Sequence, residues 1–99
     1  MVKKLTVDFI GGYRSNPNKY KLCLPCLRVI RVDVTVGPLT TLTLTDGIGN
    51  AMVVHLTNKM AVKVDKERNM VGKKIYITDW RSIEVSPNVK SMLVYDYMI

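Results

Sequence analysis

Residues 39–56 read Leu-Thr-Thr-Leu-Thr-Leu-Thr-Asp-Gly-Ile-Gly-Asn-Ala-Met-Val-Val-His-Leu, and this stretch decides the fold. From Leu39 to Thr45 the residues alternate, with Leu42 and Leu44 on one face and Thr41, Thr43 and Thr45 on the other. A period of two is the mark of a half-buried strand. Asp46-Gly47 follows, a strong turn signal because glycine takes a positive φ without steric cost. Ala51 to Leu56 then reads as the next strand. Two short strands joined by a tight turn need further strands around them to bury one apolar face.

Those strands are found on both sides. Upstream, Leu22 to Val36 carries Val29, Ile30, Val32, Val34 and Val36; Arg28, Arg31 and Asp33 interrupt it, and Pro25 argues for an edge or a bend near its start. Gly37-Pro38 ends that strand. Before it, Thr6 to Arg14 predicts a short helix. The Thr6 hydroxyl can cap it, Asp8 suits its first turn, and Phe9, Ile10 and Tyr13 fall at helical spacing. Gly11 and Gly12 each weaken that helix by about 1 kcal/mol relative to alanine. Downstream, Thr57 to Arg68 reads as a short helix with Met60, Ala61 and Val64. Val71-Gly72 is a turn, Lys74 to Val85 a strand, Ser86-Pro87-Asn88 a turn, and Val89 to Ile99 the last strand.

The order is helix, three strands, helical connection, two strands. This is the layout of an all-β OB-fold, a five-stranded, partly open Greek-key barrel with short helices. An SH3-like barrel has the same propensities; the helical connection after Leu56 favours the OB order. Alternation places Leu42, Leu44, Val54, Leu56, Ile75, Ile77 and Val94 inside the barrel. The first helix is expected to plug one barrel end through Phe9 and Ile10. Residues 1–99 form a single domain, of which 1–15 is a helical cap; the last strand runs to Ile99, which reads as a domain excised from a longer chain.

Ninety-nine residues, 47% of them apolar, can build one modest core, and they argue against disorder. No window approaches about 18 apolar residues without charge, which leaves no transmembrane helix in the sequence. Asp8 interrupts the apolar run after Lys3 and Lys4, against a signal peptide. Two cysteines cannot make a disulfide framework, so the chain reads as intracellular. The net charge of +7 points to an acidic partner, unless it is only a solvated basic surface. Its distribution is uneven: +5 over residues 1–33, −1 over 34–58, +4 over 59–74 and −1 over 75–99.

Catalytic and cofactor chemistry finds little to build on. Cys23 and Cys26 form a lone C-x-x-C, and His55 is the only histidine, too few ligands for a structural zinc site. The motif sits at a predicted strand start, whereas a redox pair belongs at a helix start, so both cysteines read as buried thiols. His55 has no carboxylate partner in its strand, and Asp46 belongs to the turn. The segment Asp46-Gly47-Ile48-Gly49-Asn50-Ala51 joins two strands and opens no helix, unlike a dinucleotide loop. The reading is a non-enzymatic chain without metal or cofactor. For single-strand binding, OB domains stack bases on aromatic side chains. Leu39 to Leu56 holds no aromatic. Trp80 beside Arg81 would be a stacking platform if exposed; the competing reading packs Trp80 in the barrel or against the first helix.

Taken together, Leu5-Thr6 with Phe9-Ile10, the strand Leu27-Arg28-Val29-Ile30, the turn Leu44-Thr45-Asp46-Gly47-Ile48, the entry Gly72-Lys73-Lys74-Ile75 and the terminal Met92-Leu93-Val94-Tyr95-Asp96-Tyr97 resemble the N-terminal OB domain of the replication protein A large subunit over nearly the whole chain. The resemblance implies a nuclear protein-interaction module of a heteromeric single-strand-binding complex in DNA replication and repair. Its basic, apolar groove would dock acidic amphipathic helices of replication, repair and checkpoint proteins. It implies groove positions at Arg31, Thr41, Val53 and His55, with Lys90 and Ser91 at the groove mouth. A second basic and aromatic flank falls at Lys73, Lys74, Trp80 and Arg81, and Lys59 and Lys63 add cations to that side. The family has arginines where this chain has Leu39 and Thr41, and a basic residue where it has Asp33. The alternative function is a single-stranded or telomeric DNA-binding OB domain, with weak single-stranded DNA binding also possible beside peptide docking; a third is an inert subunit-assembly module.

Overall fold

The computed structural model describes residues 5–6, 9–16, 24–33, 40–67, 69–87 and 89–99. The elements run α1 (Phe9–Ser15), β1 (Cys26–Asp33), β2 (Thr41–Thr45), β3 (Ala51–Leu56), α2 (Asn58–Glu67), β4 (Lys74–Ser86) and β5 (Val89–Met98). The strands close into a barrel in the order β1-β2-β3-β5-β4, with β1 also pairing β4. All pairs are antiparallel except β3 with β5. This is the five-stranded OB-fold barrel, with α2 joining the third and fourth strands. No described helix is long and apolar enough to cross a membrane.

The expected interior residues Leu42, Leu44, Val54, Leu56, Ile75, Ile77 and Val94 are all fully buried. They share one core with Leu27, Val29, Met92 and Tyr97 and with Met60 and Val64 of α2. The turn after β2 is built by its own side chains. The Thr45 hydroxyl accepts from the Gly47 N–H and donates to the Asn50 carbonyl, while the buried Asp46 carboxylate accepts from the Ile48 N–H. Gly47 has φ +89°, and a Cβ there would lie 2.9 Å from Leu5 Cδ1. The positive φ is what calls for glycine here, since the Leu5 methyl lies at the end of a flexible side chain and can move aside.

Helix α1 buries Phe9, Ile10 and Tyr13 completely. The Phe9 and Tyr13 rings stack, and Trp80 meets both edge-on with centroids 6.2 and 5.5 Å away. The Tyr13 hydroxyl donates to the Ser91 carbonyl at 3.0 Å and shares a hydrogen bond with the Ser82 hydroxyl, and Arg14 donates to the Ala51 carbonyl. The helix thus closes the barrel where β3 begins, and α2 follows where β3 ends. The helix is described from Phe9, and the Thr6 hydroxyl accepts from the Cys26 N–H while the Thr6 N–H donates to the Cys26 carbonyl. Asp8 and Cys23 lie outside the described residues, as do the expected strand residues Leu22 and Val34 to Val36. Cys26 is a buried free thiol.

Candidate functional site

The outer face of β2 and β3 is assembled from two cross-strand rows. One runs from Arg31 on β1 to Thr43 and Val53. The other runs from Asp33 through Thr41, His55 and Leu93 to Arg81. Strict alternation from Leu27 and Val29 would turn Arg31 inward. A bulge between Val29 and Arg31 shifts the register, so that Ile30 and Arg31 both face out and Val32 packs on the core.

Val53 sits at the middle of this face and is 48% exposed, between the buried Met52 and Val54. Arg31 stands two strands away, about 10 Å at ordinary strand spacing. On the other side, the Ser91 hydroxyl donates to the Val53 carbonyl at 2.7 Å, and the exposed Lys90 precedes Ser91 in the chain. Val53 therefore shares its row with one cation, Arg31. The Arg31 Nε lies 2.9 Å from the Asp33 carboxylate, so part of its field is cancelled. Lys90 faces Glu84 across the β4–β5 hairpin. His55 is half-buried, and its Nδ1 is enclosed with no hydrogen-bond partner among the described residues.

Two of the expected positions are buried. Ser91 is 7% exposed, and its hydroxyl holds β5 to β3 beyond their paired residues His55–Leu93 and Leu56–Val94. Trp80 is also 7% exposed, under α1 beside Phe9 and Tyr13, so it offers no stacking surface. Its place in β4 alternates with the exposed Arg81, and a large apolar ring next to an open barrel end goes inside.

The expected second flank does not hold together as one patch. Arg81 belongs to the His55 row and lies over the Tyr95 ring at 5.5 Å. Lys74 stands opposite Arg28 on the β1–β4 seam, with Lys73 in the turn before it. Lys63 of α2 is held over the Tyr97 ring at 4.2 Å and donates to the Tyr97 carbonyl and to Asp96. Burial, with smaller contributions from Glu67 and Asp96, pushes the Tyr97 hydroxyl up to about 12. Lys59 is exposed on the same helix.

Residues that the sequence reading missed are Thr43, Leu93 and Tyr95 on this face. The signal for them was present, since Met92 and Val94 point inward and their neighbours must point out. Among the described residues, no group of three His, Cys, Asp or Glu side chains could hold a metal ion. No protein-family model matches this chain, and no curated protein matches it.

Proposed function

We propose that this OB barrel is a non-catalytic binding module that docks an acidic, amphipathic helix of a partner protein across the outer face of β2 and β3. The observation that carries the reading is Val53, an apolar side chain left open on a strand face in one row with Arg31, while Lys90 adjoins in the chain the Ser91 that holds its carbonyl. An amphipathic helix buries its apolar stripe on such a floor and sets its carboxylates on the cationic rim. Single-strand binding on the same face is the weaker reading, because β2 and β3 carry no aromatic and Trp80 is buried. Membership of a nuclear replication or repair assembly rests on the sequence resemblance.

Exposed ion pairs contribute about 0.2–1 kcal/mol each, so the expected affinity is micromolar. Arg31→Glu combined with Lys90→Glu is expected to weaken binding of a labelled acidic amphipathic peptide several-fold in fluorescence anisotropy. The melting temperature should stay unchanged, since both side chains are exposed. Unaltered peptide affinity in that variant would remove the rim from the site.

A further inference from the structure

We infer that the outer face of β4, with the ends of β1 and β5 beside it, docks a second copy of this chain in a symmetric dimer, and this does not depend on the peptide reading. Three cross-strand pairs follow one another along β4. Lys74 lies opposite Arg28, Tyr76 opposite Met98, and Asp79 opposite Asp96. Ile75, Ile77 and Tyr97 point into the core, so Tyr76 and Met98 point out, and they are 36% and 58% exposed. The register shifts on both sides of Asp79, which leaves it exposed next to the buried Trp80. At ordinary strand rise, Lys74 is about 7 Å from Tyr76 on one side and Asp79 about 10 Å on the other. Along the strand the face is therefore basic, then apolar, then acidic. Two further exposed apolar residues widen its centre. Ile99 follows Met98, and Leu24 adjoins Pro25, whose carbonyl accepts from the Ile77 N–H.

Like charges directly opposite each other destabilise a sheet. This face carries two such pairs, of opposite sign, one at each end. Lys73 in the turn adds to the basic end. At the acidic end Lys63 of α2 reaches Asp96 at 3.5 Å and offsets part of its charge, while Arg81 is drawn over the Tyr95 ring at 5.5 Å. A polyanion laid along the row would meet Asp79 and Asp96, and a polycation would meet Arg28 and Lys74. A second copy suits the whole row. Turned by a two-fold axis through the Tyr76–Met98 pair, it sets each basic pair on the acidic pair of its mate and the apolar centre on its own image. A two-fold contact must be self-complementary, and this order of charges is. Three pairs make a contact at the small end of specific interfaces, so the dissociation constant is expected to be about 100 µM.

Sedimentation equilibrium of the full chain, up to about 1 mM, tests this. The apparent mass is expected to rise with concentration from 11.2 kDa to a plateau at twice that value. Met98→Glu, which puts a charge in the apolar centre, is expected to weaken association about tenfold. Asp79→Lys and Lys74→Asp are each expected to weaken it about fivefold, while the two together restore it to within about twofold, because each new charge then meets the other across the axis. Neither charge change should lower the melting temperature, since Asp79→Lys puts a cation opposite Asp96 and Lys74→Asp an anion opposite Arg28. A parent chain that stays at the monomer mass, or that grows past the dimer without a plateau, would overturn the inference. So would single charge variants that associate like the parent, or a double variant as weak as either single one.

Discussion

Trp80→Ala is expected to destabilise the domain by about 3–5 kcal/mol, the cost of emptying a large aromatic site in a core. The indole lies between α1 and the strands, edge-on to both Phe9 and Tyr13. Removing it leaves a void that α1 cannot fill without breaking the bonds from Tyr13 to Ser91 and from Arg14 to Ala51. A small domain has about 5–15 kcal/mol in total, so this single change consumes much of its margin. Urea denaturation followed by circular dichroism measures it. A loss below about 1 kcal/mol would mean that the ring does not pack under the helix.

Deleting residues 1–15 is expected to have a larger effect still. It removes Phe9, Ile10 and Tyr13, each fully buried, and burying one such side chain stabilises by about 1.5–3 kcal/mol. It also uncovers Trp80 and the barrel end where β3 begins. The truncated chain should lose its cooperative melting transition in calorimetry. A transition at the parent temperature would show that α1 is a surface attachment with no share in the core.

The fold was legible because its signals are local. Alternation in Leu39 to Thr45 and in Ala51 to Leu56, with Asp46-Gly47 between them, defines one hairpin and the inward residues of both strands. The helical connection after Leu56 supplied the topology, since it separates the third and fourth strands and allows β3 to run parallel to β5. The face was less legible, for three physical reasons. A bulge, not the residue period, turns Arg31 outward, and a bulge leaves no sharp mark in sequence. Ser91 is polar and follows Lys90 in the chain, yet it is consumed as a link to the Val53 carbonyl where strand pairing stops. The pairing Arg31–Asp33 depends on rotamers, so the cation count of a strand overstates the field that a ligand meets. Trp80 was undecided between an exposed and a buried place; the two rings of α1 that receive it lie about 70 residues away in the chain, beyond the reach of a local pattern.

Amide shift mapping by NMR tests the central claim most directly. Titration of the isotope-labelled chain with an acidic amphipathic peptide is expected to move the amides of Thr41, Thr43, Val53, His55 and Leu93, which share the outer face of β2, β3 and β5, and that of Lys90 at its rim. The amides of Arg28, Lys74 and Tyr76 on the β1–β4 seam should stay in place. Shifts gathered on that seam, or no shift at millimolar peptide, would contradict the account.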